Sequence, residues 1–145
     1  MNGGLWRTET TVSIDSCHWL DLKYPSPCSA EHGHRWVVTV KCEAGELNVE
    51  GMVVDFSRVK DIIRRWDHTA INLMAPFNMI NPTAENLAEY WCRTINEAIH
   101  QEDNHPWCYE VDVEETPGSR AVYLSGRPQA RLKRPAGAAR RRVEV

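Results

Sequence analysis

A chain of 145 residues with a formal net charge of −3 has the length of one domain and can bury a single ordinary core. No run approaches the roughly 18 apolar residues of a membrane span, and the opening Met1-Asn2-Gly3-Gly4-Leu5-Trp6 lacks the charged and apolar regions of a secretory leader. Five cysteines, an odd number with no Cys-x-x-Cys pair, argue against a disulfide framework and a zinc ribbon, so a reducing, cytoplasmic setting is expected.

Trp6 to Asp15 reads as a first strand, with Thr8, Thr10, Val12 and Ile14 on one face. Tyr24-Pro25-Ser26-Pro27 marks a loop. A second strand runs from His34 to Cys42, where Trp36, Val38, Val40 and Cys42 alternate with Arg35, Thr39 and Lys41. After the turn-prone Glu43 to Gly51, Ser57 is placed to cap a helix whose Val59, Ile62, Ile63 and Trp66 form one apolar stripe. Pro76 to Pro82 breaks the chain. Thr83 then caps a longer amphipathic helix through Leu87, Tyr90, Trp91, Ile95 and Ile99, ending near His100. Tyr109, Val111 and Val113 form the inner face of a third strand, and Ala121 to Leu124 a fourth after the Pro117-Gly118 turn.

The order of two strands, two helices, two strands predicts an α+β fold, a four-stranded antiparallel sheet with both helices on one face. Residues 1–126 form this domain. Residues 127–145 carry seven of the 17 Lys and Arg and one acid, and read as a basic, disordered tail on a body of net charge −9. Such a tail favours non-specific phosphate contacts, but a solvated tail is the commoner case and nucleic acid is not the expected partner.

The chemistry concentrates in Cys28-Ser29-Ala30-Glu31-His32-Gly33-His34 and in His18 upstream. Positions two apart on a strand share a face, so His32 and His34 offer two imidazoles side by side. His18 from a neighbouring strand makes three nitrogen ligands. A fourth position left open is how catalytic zinc is usually held. Cys28 is close enough in sequence to serve as a nucleophile or base beside such a metal, or to be an inert buried thiol. Cys17 is expected to pack into the core. Asp67-His68, at the end of the first helix, is either a carboxylate-supported proton shuttle or a capping pair, since adjacent residues on a helix do not face each other. Glu115 ends the third strand, either solvated or accepting paired N–H groups from a guanine-like or pterin-like ring.

Ser16-Cys17-His18, Cys28 to His34, Gly51 to Phe56, Trp66-Asp67-His68 with Asn72, Asn81 to Ala88 and Glu114-Glu115-Thr116 together resemble the 6-pyruvoyltetrahydropterin synthase and 6-carboxytetrahydropterin synthase family. The resemblance spans residues 12–124 and implies the tunnelling fold. It makes His18, His32 and His34 ligands of one zinc ion per protomer, Cys28 the catalytic thiol, and Asp67 with His68 the proton relay. Glu115 becomes the pterin anchor, helped by the backbone near Thr83. It further implies a homohexamer of two stacked trimers, with the active sites between subunits and Asp67 and His68 facing the Cys28 of a neighbour.

The four-residue step from Cys28 to His32 resembles the bacterial-type 6-carboxytetrahydropterin synthases. These convert 7,8-dihydroneopterin triphosphate to 6-carboxytetrahydropterin, acetaldehyde and triphosphate on the route to 7-deazaguanine and queuosine. The pyruvoyl-forming synthase is the alternative, and an inactive zinc protein whose tail binds nucleic acid a more distant one. Departures from the family pattern are Ile14-Asp15-Ser16-Cys17 before the first histidine, Trp66, and Arg35-Trp36 after the His-Gly-His.

Overall fold

The computed structural model describes residues 3–128. The four strands are β1 (Trp6–His18), β2 (His32–Ala44), β3 (Trp107–Thr116) and β4 (Ser119–Leu124). The two helices are α1 (Phe56–Arg64) and α2 (Ala84–Ile99), both between β2 and β3 in the chain. The sheet is antiparallel throughout, in the order β1-β2-β3-β4. Both helices cover one face, with α1 over β1 and α2 over β3 and β4. This is the α+β arrangement predicted from the order of elements. Among the described residues no helix is long and apolar enough to cross a membrane. Of the basic tail only Arg127 and Pro128 are described; the rest lies outside the described residues.

Strict alternation builds the covered face. Thr10, Val12, Ile14, Ser16 and His18 of β1 are buried, as are Trp36, Val38, Val40, Cys42 and Ala44 of β2. Val59, Ile62 and Ile63 of α1 and Leu87, Trp91, Ile95 and Ile99 of α2 close over them. The intervening β1 and β2 residues, from Arg7 to Cys17 and from Gly33 to Glu43, lie on the helix-free face. The first two strands are longer than the apolar pattern indicates. Polar Ser16 and His18 keep to the buried phase, so β1 runs to His18 rather than stopping at Asp15. Likewise β2 opens at His32.

Three local expectations are corrected. Asp55, not Ser57, caps α1, its Oδ1 accepting the Ser57 N–H at 2.8 Å. The helix ends at Arg64, so Trp66, Asp67 and His68 lie past its last turn. In β3 a bulge sets Cys42 opposite Cys108 but Lys41 opposite Glu110, leaving Tyr109 as the extra residue. Cys108, not Tyr109, is therefore buried with Val111 and Val113, and the Tyr109 ring turns outward under the Arg7 guanidinium at 4.8 Å. The Thr83 cap of α2 is found as expected, its Oγ1 accepting the Asn86 N–H at 3.2 Å.

The bulge has a specific fastener. Asn96 of α2 is buried, its Oδ1 accepting the Cys108 N–H at 2.7 Å and its Nδ2 donating to the Cys108 carbonyl at 2.9 Å. Asn96→Ala would strand two buried main-chain groups and should destabilise the fold by about 2–4 kcal/mol, read as a lower midpoint in denaturant unfolding. A change under about 0.5 kcal/mol would mean the bulge needs no such fastener.

Candidate metal and substrate site

The register of β1 against β2 sets His18 directly opposite His32 and Ser16 opposite His34. All three histidines lie in the phase of the buried residues, so their rings converge at one end of the covered face. Ring centroids are 4.5 Å apart for His18–His32, 5.2 Å for His18–His34 and 4.8 Å for His32–His34. One nitrogen from each falls within 4.8 Å of the others. His18, expected on a neighbouring strand, sits at the end of β1.

Main-chain carbonyls set the tautomers. The His18 Nδ1–H donates to Pro82 O at 2.8 Å and the His32 Nδ1–H to Ala30 O at 2.7 Å, which leaves both Nε2 lone pairs free. His18 Nε2 and His34 Nε2 are buried without a hydrogen-bond partner. Burial pushes the pKa of both rings down, so both favour the neutral form that a metal ligand requires. Unpaired buried nitrogens are costly unless something binds them. Three imidazoles converging on one point suit a zinc ion. The donor set therefore fits the metal. Trp36 walls the site from below, 4.8 Å and 5.3 Å from the His18 and His34 rings, its Nε1–H bonded to Ser16 O at 3.2 Å.

A second bulge, between Glu114 and Thr116, makes Glu115 the unpaired residue of its strand. That re-aims its carboxylate toward the histidines, with Oε1 3.6 Å from His34 Nε2 and Oε2 3.9 Å from His18 Nε2. The same side chain lines a cleft of about 390 Å³ together with Thr83, Glu85, Leu20, Ser119 and Arg120. Glu115 and Thr83, 32 positions apart in sequence, thus share one cleft beside the metal-ligand set. Alternation alone gives no sign of this, because the bulge breaks it.

Cys28 lies in a single 3₁₀ turn, Pro27–Ser29, half-buried. Ser26 Oγ accepts its N–H at 3.1 Å, and its carbonyl accepts the Leu20 N–H at 2.9 Å, which ties the loop to the end of β1. Cys17 does not pack into the core. It falls in the outward phase of β1, and its thiol meets Glu31 Oε1 at 3.1 Å, which pushes its pKa up. Gly33 is not sterically required, since a Cβ there would meet nothing within 4 Å.

Asp67 and His68 are brought together by a turn rather than by a helix. His68 is left-handed, with φ 54°, a conformation costing about 1–2 kcal/mol for most side chains. Its N–H donates to Asp15 O at 2.7 Å, and the segment continues along the edge of β1 with Cys17 N–H to Thr69 O at 3.1 Å. The bend places His68 Nε2 3.5 Å from Asp67 Oδ2, a proximity that adjacent residues within a helix would not have. A groove of about 590 Å³ has His68, His34, Cys17, Asp15 and Arg35 on its walls. The capping role is not seen.

The sequence model of the 6-pyruvoyl tetrahydropterin synthase family matches residues 8–125. A Bacillus subtilis 6-carboxy-5,6,7,8-tetrahydropterin synthase is 30% identical over 117 residues, covering 77% of this chain and 80% of its own length. A Pyrococcus horikoshii relative is also 30% identical, over 139 residues that cover 93% of this chain and 78% of that protein. The Caenorhabditis elegans 6-pyruvoyl tetrahydropterin synthase structure superposes with a TM-score of 0.67 at 24% identity, over 85% of this chain and 97% of its own, a likeness of fold. With the family model matching nearly the whole described chain and relatives at this identity, the protein belongs to the 6-pyruvoyl tetrahydropterin synthase family.

Proposed function

We propose that this chain is a zinc-dependent 6-carboxy-5,6,7,8-tetrahydropterin synthase, a carbon–carbon lyase acting on 7,8-dihydroneopterin triphosphate in 7-deazaguanine and queuosine biosynthesis. The observation that carries the reading is the trio His18, His32 and His34 with two orphaned Nε2 atoms beside the Glu115 carboxylate. The name of the Bacillus subtilis relative supports the carboxy product over the pyruvoyl one.

His18, His32 and His34 would hold one zinc ion per chain, which when bound supplies Lewis-acid polarisation of the substrate's side-chain oxygens. Glu115 accepts the paired N–H groups of the pterin ring, whose two donors match a carboxylate's two oxygens. The cleft it shares with Thr83 gives the ring a place beside the histidines, and the main chain at the start of α2 assists. Cys28, as thiolate, removes a proton from the substrate side chain. His68, with Asp67 behind it, carries protons to and from the reacting carbons as triphosphate is eliminated and, with one water taken up, the carbon–carbon bond is cleaved. Residues 1–126 constitute the catalytic domain and 127–145 an appended basic tail. We assign the working form as a cytoplasmic homohexamer of two trimers, with Asp67 and His68 of one protomer serving the Cys28 of the next.

The zinc-loaded protein given 7,8-dihydroneopterin triphosphate should release acetaldehyde together with 6-carboxytetrahydropterin. Triphosphate release with a pyruvoyl pterin would move the assignment to the alternative synthase, and no turnover with zinc present would reject both. Cys28→Ala should lose roughly 10²- to 10⁴-fold in turnover while keeping one zinc per chain by elemental analysis, whereas His18→Ala should lose the zinc. Glu115→Gln should raise KM roughly tenfold or more with zinc retained; an unchanged KM would remove Glu115 from ring binding.

A further inference from the structure

Arg35 stands at a position where this chain departs from the family pattern, and nothing in the proposed mechanism uses it. In the β1–β2 register it is directly opposite Asp15, on the helix-free face. Its Nε and Nη2 fork the Asp15 carboxylate at 2.9 Å and 3.1 Å, a bidentate contact. The local strand geometry explains the closeness. Asp15 bonds outward through both main-chain groups, its N–H to Asp67 Oδ1 at 2.8 Å and its carbonyl to the His68 N–H at 2.7 Å. A residue that bonds outward belongs to a non-hydrogen-bonded cross-strand pair, where facing side chains approach most closely.

Asp15 therefore brackets both members of the Asp67–His68 pair with its backbone while Arg35 grips its side chain. Asp67 is fully used by this geometry, with Oδ1 on the Asp15 N–H and Oδ2 facing His68. Resting on the proton-relay role assigned above to Asp67 and His68, we propose that Arg35 is a positioning residue for that pair and acts through Asp15. The charge balance points the same way. Asp15 and Asp67 bring two carboxylates to His68, and Arg35 is the cation among the residues of the shared groove. It holds the Asp15 carboxyl below its usual range, and its own charge is favoured by Asp15 first and by Asp67 as well. With Arg35 removed, the Asp15 carboxylate is free to compete with Asp67 for the imidazole, and the left-handed turn at His68 loses a fixed strand edge to lean on.

The test uses the zinc-loaded full chain with Arg35→Ala, Arg35→Lys and the exchanged pair Asp15→Arg with Arg35→Asp. For Arg35→Ala, kcat should fall roughly threefold to tenfold with KM within about twofold, the range open to an exposed ion pair that orients a reacting group. Zinc content and unfolding midpoint should not move. Amide exchange at His68 should quicken while that of the core strands stays unchanged. Lysine cannot fork a carboxylate and should restore only part of the rate, and the exchanged pair should restore most of it. A raised KM at unchanged kcat would make Arg35 a substrate contact and overturn the proposal, as would an exchanged pair no better than alanine. Should the unmodified protein not turn over this substrate, the functional assignment fails on its own. His68 amide exchange then decides the positioning role, an unchanged rate refuting it.

Discussion

The pairing of β1 with β2 in one register is the constraint on which the rest depends. It sets His18 against His32 and keeps Val12, Ile14, Trp36, Val38 and Val40 on a single covered face. A slip of one residue would turn every one of these side chains to the other side of the sheet. The core and the histidine trio are thus specified by the same alternation, and a slip in register would lose both together. His18 closes the buried phase of β1, after Ser16, and His32 and His34 open that of β2. His18 Nε2 and His34 Nε2 are therefore buried at this end of the sheet without a hydrogen-bond partner.

Side-chain amides do for the loops what strand pairing does for the core. Asn72 takes both main-chain groups of Trp19, accepting its N–H at 2.9 Å and donating to its carbonyl at 2.8 Å. Asn81 does the same for Asp21, with both distances 2.8 Å. The chain leaving β1 is therefore held by the segment that precedes α2, and Pro82 of that segment accepts the His18 Nδ1–H. One stretch, Asn81-Pro82-Thr83, locks a loop, fixes the His18 tautomer, caps α2 and contributes a wall of the cleft that contains Glu115. Its motif character in the sequence has a local physical origin in these four contacts.

Periodicity made most of the fold legible. Val12 and Ile14, Trp36 to Cys42, and the stripe from Leu87 to Ile99 report their elements directly, because burial on one face is what alternation encodes. The histidine trio was readable for the same reason. What stayed hidden lies where the pattern is broken. Tyr109 looked like a core residue because a bulge shifts the phase of β3 by one, and Glu115 owes its direction to another bulge. The meeting of Asp67 with His68 depends on a left-handed residue past the end of α1, which no helical spacing reveals. Cys17 looked apolar by residue type but falls in the outward phase once β1 continues to His18.

The five thiols of the chain sit in different environments. Cys92 and Cys108 are fully buried with their sulfurs 3.8 Å apart. For Cys92 the neighbouring thiol, and for Cys108 the hydrogen bond with Cys42, raise the pKa well above the ordinary range, and burial adds to both. Cys17 is accessible, yet the Glu31 carboxylate beside it opposes a second negative charge. Cys42 is closed into the core. Cys28, half-buried like Cys17, lies in a polar turn, with its thiol free of any hydrogen bond among the described residues. Cys92 and Cys108 are held from the thiolate form by neighbouring thiols and by burial, and Cys17 by the Glu31 carboxylate. The turn between β1 and β2 is fastened by Ser26 and Leu20 and holds Cys28, the thiol to which the proposed mechanism gives the role of base.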